Sequence, residues 1–419
     1  MNTKLKSFFF YSFVLLLTAE CIEYLSSPSR LNFNATILVG ILKFTSLALV
    51  LYSASKMNWM KDLPRTAVLV FKLMIAWNIF IIFHGIISAD DYWDWKFIIL
   101  NNIPSLLMPY MILVGAYFYD NVKLVKFLLF RLFPFSLVLI PLSTVSIGME
   151  LYSRMVTGIV LFILLSIYMD RKWRLFIYFV AIMSILIALG YRANIIRIIF
   201  AGVLVIIYYT RALYTVRLFK IVSILFFIFP FVFAILGATD TFNIFKPFDS
   251  NENNFVVSNQ GTDEDLAADT RTFLYVEVLT SVSQHNRIIF GEGAAGKYVS
   301  AWFQDIDRYG AEVGLLNMIL YGGVISVILY LWLLVLSSHY AISHSNNFLS
   351  KMLGLFIAFR WMLLFVEDIT VYDMNFYFLW IVIGLAMSKR LRSLSDQEIR
   401  NYFAFLLGNI RYKRIQHTE

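Results

Sequence analysis

Runs of about 17–25 mostly apolar residues recur along this chain, at roughly 8–25, 33–53, 66–87, 97–119, 127–147, 154–169, 175–190, 193–209, 218–238, 313–337, 349–366 and 372–387. Each is long enough to cross a hydrocarbon layer ~30 Å thick as a helix. No other feature limits the fold so strongly, because in lipid every backbone N–H and C=O must find its partner within the protein. The runs predict an all-α polytopic membrane protein with about 12 transmembrane helices.

Composition agrees. Only 15% of the residues are charged against 60% apolar, and mean hydropathy is +0.74, whereas a soluble domain carries roughly a quarter charged residues. The single cysteine, Cys21, excludes an intramolecular disulfide and a Cys-based zinc site. The opening "MNTKLKSFFFYSFVLLLTAEC" has the basic start and apolar run of a signal peptide, but Glu20 stands where a lipoprotein cleavage site needs a small residue. It reads as the first span.

Short cytoplasmic loops are enriched in Lys and Arg. With the N-terminus inside, the inner segments hold Lys4 and Lys6; Lys56, Lys61 and Arg65; Lys123 and Lys126; Arg171, Lys172 and Arg174; Arg211, Arg217 and Lys220; Lys351; and the basic tail. The outer short loops read "SADDYWDW" and "EDITVYD". Both termini are therefore expected in the cytoplasm. The net charge of +8 reads as anchoring at the inner membrane surface and gives no reason to expect a nucleic-acid partner.

Four regions follow: spans 1–9 (1–238), a long outer loop (239–312), spans 10–12 (313–387) and a basic tail (388–419). The loop carries twelve Asp/Glu against five Lys/Arg. A connection of that length is either functional or disordered. Its first part, "PFDSNENNFVVSNQGTDEDLAAD", is polar, turn-rich and expected to be mobile. "DTRTFLYVEVLTSVSQ" places Phe273, Val276 and Thr280, and also Leu274, Val278 and Val282, at helical spacing, which suits a short helix lying on the membrane face, and a second short helix is expected over 298–308. In the tail, Ser395 and Glu398 form a capping-box pattern. Ile399, Phe403, Leu406 and Ile410 then share a face with basic residues nearby, as in an interfacial helix that grips anionic lipid.

Between the two expected loop helices lies "GEGAAGKY", residues 291–298. It matches a dinucleotide fingerprint and, except for Tyr298 in place of Ser or Thr, a phosphate-binding loop. The expected outer location and the lack of a βαβ setting count against a nucleotide. Two readings stay open: a glycine turn between two helices, and backbone N–H groups that approach an anion closely, with Lys297 as an added cation.

An ionisable side chain at a helix centre costs roughly 2.5–3.5 kcal/mol. Lys72 and Arg131 lie near inner helix ends and can snorkel. Arg192 and Arg197 lie at and just below the outer end of span 8, and Arg360 lies past the midpoint of span 11, seven residues before Glu367. With the loop's Arg271, Arg287 and Arg308 these can crown one outer cavity, where arginine's planar fork suits a diphosphate. The alternative is that each pairs with a carboxylate. Lys43, in the middle of span 2, either pairs with Glu20 or Glu23 or belongs to the same cavity.

"ALGYRANIIRIIFAG", "DTRTFLYVEVLTSVSQHNRIIFGEGAAGKY" and "DRYGAEVGLLNMILYGGVISVILYL", set among twelve spans with a large loop before the last three, resemble the O-antigen and capsule polymerase (Wzy-type) and O-antigen ligase superfamily. The resemblance is strongest over 185–335 and topological elsewhere. It implies a C-type membrane glycosyltransferase fold in a bacterial cytoplasmic (inner) membrane. The substrates it implies are an undecaprenyl-diphosphate-linked oligosaccharide donor and acceptor, with no cofactor or metal, and it admits a chain-length regulator as a further partner. It carries Arg192 and Arg271 over as diphosphate binders, joined on position alone by Arg197, Arg308, Arg360 and Lys297. Ligases typically show a His-Asn pair after the glycines; here His285 and Asn286 precede them, which favours a polymerase.

Inverting glycosyl transfer needs a base for the acceptor hydroxyl and cations for the leaving diphosphate. Asp307 and Glu312 are the candidate bases, with His285 third; Glu312 can equally cap the positive N-terminal end of span 10. The rivals are a ligase-type transferase and a transporter such as a flippase. A carrier places its ionisable residues near the midplane and keeps its loops short on both sides.

Overall fold

The computed structural model describes residues 3–25, 36–56, 61–117, 122–135, 158–187, 189, 192–210, 215–238, 255–257, 263–265, 272–300, 306–365, 367–368 and 374–407. The chain is predominantly helical. Six of the described helices are long and apolar enough to cross a membrane. They are α3 (Arg65–Ser88), α4 (Tyr92–Ala116), α8 (Arg192–Thr210), α9 (Val216–Ala238), α11 (Gly314–Ser343) and α12 (Phe348–Met362, extended by a 3-10 turn to Phe365). The other helices before the loop are α1 (Thr3–Leu25), α2 (Thr36–Ser55), α5 (Val122–Phe127), α6 (Ile159–Leu165) and α7 (Arg171–Ile187). The run expected at 127–147 falls mainly outside the described residues.

Burial ranks the helices. The window in α12 is 83% buried and that in α9 only 22%, so α12 stands at the centre and α9 turns most of its surface outward. α12 packs on α11, on α9 and on α13 (Met374–Met387), and α3 packs on α11.

α4 starts earlier than its apolar run suggests. Asp91 accepts a hydrogen bond from the Asp94 backbone N–H, and the Asp94 side chain accepts in return from the N-cap backbone, so "DYWDWK" becomes the first turns of the helix. Pro104 and Pro109 each lack an N–H. Around them the helix passes through a π-helical stretch, Ile98–Asn102, and a 3-10 turn, Met108–Met111.

The long loop contains more β-structure than its sequence suggests. Phe255–Val257 (β1) pairs antiparallel with Asp263–Asp265 (β2) inside the segment expected to be mobile. Helix α10 (Thr272–Gln284) forms as expected, with Leu274, Val278 and Val282 buried. The helix expected over 298–308 is replaced by a hairpin of β3 (Lys297–Ser300) and β4 (Ile306–Tyr309). Burial in β3 alternates, with Tyr298 and Ser300 inside and Val299 at 47% exposure, the period of a strand.

Residues 285–296 are spliced into a membrane helix. Gly323 breaks α11 with φ 65°, and the loop takes over the hydrogen bonds that the break releases. The Leu320 and Tyr321 carbonyls accept from Glu292 N–H (2.7 Å) and Gly293 N–H (3.0 Å); the N–H groups of Val324 and Ile325 donate to the Ile288 and Ile289 carbonyls (2.9 and 3.5 Å). Ala294 N–H donates to the Ile81 carbonyl of α3 at 3.0 Å. Non-helical backbone at membrane depth is tolerated where the protein satisfies it in this way. A Cβ on Gly323 would lie 2.0 Å from the Ile289 carbonyl oxygen, and one on Gly293, φ 84°, would lie 2.7 Å from the Gly85 nitrogen.

At the opposite end of the bundle, α14 (Lys389–Ser393) and α15 (Asp396–Leu406) fold back onto the helices. Ser395 and Glu398 form both halves of the expected capping box. The Asp396 carboxylate accepts from Phe348 N–H (2.8 Å) and from the Tyr168 hydroxyl (2.5 Å). Ile399, Tyr402, Phe403 and Leu406 are buried, so the apolar face of α15 covers protein rather than lipid. Position 410 lies outside the described residues.

Candidate functional site

The charges expected near the loop end of the bundle are distributed over four clusters. The most buried joins Arg197 of α8, Arg360 of α12 and Glu367, which follows the 3-10 turn. Arg197 Nη1 lies 3.0 Å from Glu367 Oε1, and Arg360 Nη1 lies 3.3 Å from Glu367 Oε2. Both arginines are 1% exposed. Asn375 of α13 completes the group: its amide nitrogen lies 3.4 Å from Glu367 Oε1, and its oxygen accepts from Arg360 Nη1 at 3.5 Å. The Arg360 guanidinium also stands 5.6 Å from the Phe376 ring centroid. A cavity of about 20 Å³, room for one water molecule, is lined by both arginines and Asn375.

The spacing in α12 explains half of this geometry. Seven residues are two helical turns, so Arg360 and Glu367 fall on one face, and the 3-10 turn between them carries the carboxylate beyond the helix end. The contact with Arg197, from a separate helix, has no counterpart in local sequence.

The second cluster gathers around Tyr298 of β3. Arg308 stands opposite Tyr298 across the hairpin; burial raises the Tyr298 pKa, Arg308 opposes that rise, and Glu277 and Glu312 reinforce it. The first two clusters are neighbours, because Gly314 N–H, two residues after Glu312, donates to the Glu367 carbonyl at 3.0 Å. Tyr275 of α10 donates its hydroxyl to the Phe365 carbonyl at 2.7 Å. Asn317 bridges the Ala311 backbone to Asp368. Phe365, Glu367 and Asp368 thus hold the membrane arginines and the loop together.

In the third cluster, Lys297 Nζ lies 2.6 Å from Asp94 Oδ1 and 3.8 Å from Asp91 Oδ2, and the Tyr309 hydroxyl donates to Asp94 Oδ1 at 2.5 Å. Burial disfavours the Lys297 charge, but Asp94 and Tyr309 outweigh it and hold the ammonium protonated well above its ordinary range. Burial and the Asp94 carboxylate likewise push the Tyr309 phenol up to about 12. Lys297 therefore fastens the hairpin to the first turn of α4. The fourth cluster is exposed: His285 Nδ1 lies 3.0 Å from Glu292 Oε1.

The glycine motif resolves in favour of a turn. The N–H groups of Glu292, Gly293, Ala294 and Gly296 all donate to protein carbonyls, which leaves none of them to an anion. Of the remaining candidates, Asp307 and Glu312 are exposed, and Arg192 is half-buried at the start of α8. Arg271 lies outside the described residues. Lys43 pairs with Glu20 at 2.8 Å, and Tyr377 donates to the same carboxylate oxygen at 2.7 Å, so the question left open at Lys43 is closed. Among the described residues no group of three His, Cys, Asp or Glu side chains is placed to hold a metal ion.

No family model, curated protein or solved structure matches this chain.

Proposed function

We propose that this protein is a membrane polysaccharide polymerase. In this reading it joins undecaprenyl-diphosphate-linked repeat units by inverting glycosyl transfer at the outer face of a bacterial cytoplasmic membrane. It has twelve spans, both termini inside and a C-type glycosyltransferase architecture. The observation that carries the reading is the convergence of Arg197 and Arg360, from distant parts of the chain, on one carboxylate beside the loop's own charged cluster. Two guanidinia buried among membrane helices are costly and mark a functional site by default, and their planar forks match phosphate oxygens.

The roles follow from chemistry. Arg197 and Arg360 neutralise the donor's diphosphate as it leaves, and the resemblance adds Arg192 and Arg271 as further diphosphate binders. Asp307 or Glu312 takes the proton of the attacking hydroxyl, which inverts the anomeric centre. The cavity at the arginines has room for a water molecule but not for a diphosphate. Donor binding in this reading therefore requires the guanidinia to exchange Glu367 for phosphate. Lys297 is a structural pin in this scheme, and His285 has a lesser claim because Glu292 holds it.

Deleting the gene and resolving surface polysaccharide on a gel tests the proposal. Single repeat units on the surface carrier are expected in place of long chains. Repeat units trapped inside indicate a flippase, and unchanged long chains overturn the reading.

A further inference from the structure

We infer that residues 288–290 form a wedge that dips into the bilayer and presents Ile288, Ile289 and Phe290 to hydrocarbon chains of the leaflet nearest the loop. This inference is independent of the proposed reaction.

Depth is the first argument, and two helices supply it separately. Ala294 N–H bonds to Ile81, seven residues before the end of α3, which is about 10 Å below that end at 1.5 Å per residue. With 24 residues, α3 is about 36 Å long and overshoots a ~30 Å hydrocarbon layer by only a few ångströms at each end. α11, with 30 residues, is about 45 Å long and overshoots the same layer by about 7–8 Å at each end; Val324 and Ile325, which bind Ile288 and Ile289, lie about 15 Å from Gly314, past that overshoot. Both measures put the contact below the membrane surface.

The second argument is what faces outward. Ile288, Ile289 and Phe290 are 41%, 58% and 48% exposed, although their backbone is bonded into α11. They continue the apolar surface of the flanking spans, where Phe80, Phe83 and Ile87 of α3 and Val324 and Ile328 of α11 are also exposed. Phe290 lies 6.1 Å from the Trp77 ring, which stacks on Phe80, so the loop and α3 form one continuous surface.

Polarity is the third. The charged residues Arg287 and Glu292 bracket the wedge, and none lies between them. Three of the carbonyls that would make immersion costly are used: that of Arg287 accepts from Gly291 N–H, and those of Ile288 and Ile289 accept from α11. An aqueous setting would leave three large apolar side chains in water beside lipid-facing helices. Hydrocarbon is the occupant that both the depth and the continuity of the surface select.

The test uses the full-length protein in liposomes, with Cys21→Ser as background and a nitroxide label at Ile289→Cys. Its collision rates are measured with oxygen, which concentrates in hydrocarbon, and with a water-soluble nickel chelate. Ile87→Cys serves as the lipid-facing reference and Gln284→Cys as the aqueous one. Oxygen is expected to dominate at position 289 by several-fold, as at 87, with the order reversed at 284. Dominance of the nickel chelate at 289 places the wedge in water and overturns the inference. Low collision with both reagents means that protein covers the site, and overturns it equally. Should Ile289→Cys fail to fold, Phe290→Cys is read in the same way.

Discussion

Glu20 and Lys43 form one buried ion cluster; Arg197, Arg360 and Glu367 form another, and the two are built differently. The first joins consecutive helices, α1 and α2, and among the described residues sets one cation on one carboxylate, with a Tyr377 hydroxyl on the same oxygen. The second joins α8 and α12, distant in sequence, and sets two guanidinia on one carboxylate among the described residues. The carboxylate of the pair sits on a regular helix, whereas Glu367 sits on the irregular segment that also binds Gly314. An ion pair between consecutive regular helices fastens neighbours. Two cations gathered on a carboxylate at a helix end, next to a charged loop, are in the proposed reading the pair that exchanges that carboxylate for the donor's diphosphate.

Mutations separate the two roles. Lys43→Met or Glu20→Gln alone breaks the buried ion pair and should destabilise the protein by about 3–5 kcal/mol, read as a lower midpoint of thermal unfolding in detergent. The double variant should recover most of that loss and retain chain extension; continued instability would break the view of this pair as a fastener. Arg197→Ala or Arg360→Ala should lower chain extension by about 100-fold at normal membrane levels, measured on surface polysaccharide. Adding Glu367→Gln to either arginine variant should not restore it; recovery would make the trio a fastener too.

Two smaller effects concern the loop. Gly323→Ala forces an L-residue into a left-handed conformation against the Ile289 carbonyl, at a cost of more than about 2 kcal/mol. Limited proteolysis should then cut between 285 and 296, and an uncut loop would show that the splice into α11 is dispensable. Lys297→Met should cost only about 1 kcal/mol, because the lysine is partly exposed and Asp94 keeps the Tyr309 hydroxyl. Donor KM should stay constant; a marked rise would return Lys297 to the diphosphate.

Much of the fold can be read from the sequence because membrane helices are written in local hydropathy, and α10 and the Ser395–Glu398 cap follow equally local rules. The failures share a cause, which is dependence on distant partners. The 298–308 segment has enough apolar residues for a short helix, but Lys297 and Tyr309 meet on Asp94 and set a hairpin instead. "GEGAAGKY" resembles phosphate loops because its glycines permit close approach, yet the group approached is the backbone of α3 and α11. The amphipathic face of α15 marks a burial surface without saying whether lipid or protein covers it. At the candidate site, the i, i+7 spacing of Arg360 and Glu367 is visible in the sequence. Their meeting with Arg197 is set by how α8 packs against α12.

The most direct test of the central claim is reconstitution. The purified protein in liposomes, given a polyprenyl-diphosphate-linked repeat unit as its only substrate, should yield a ladder of longer glycans and release polyprenyl diphosphate in step. The Arg360→Ala protein should yield neither. Repeat units that stay single, or that cross the bilayer without being joined, would contradict it.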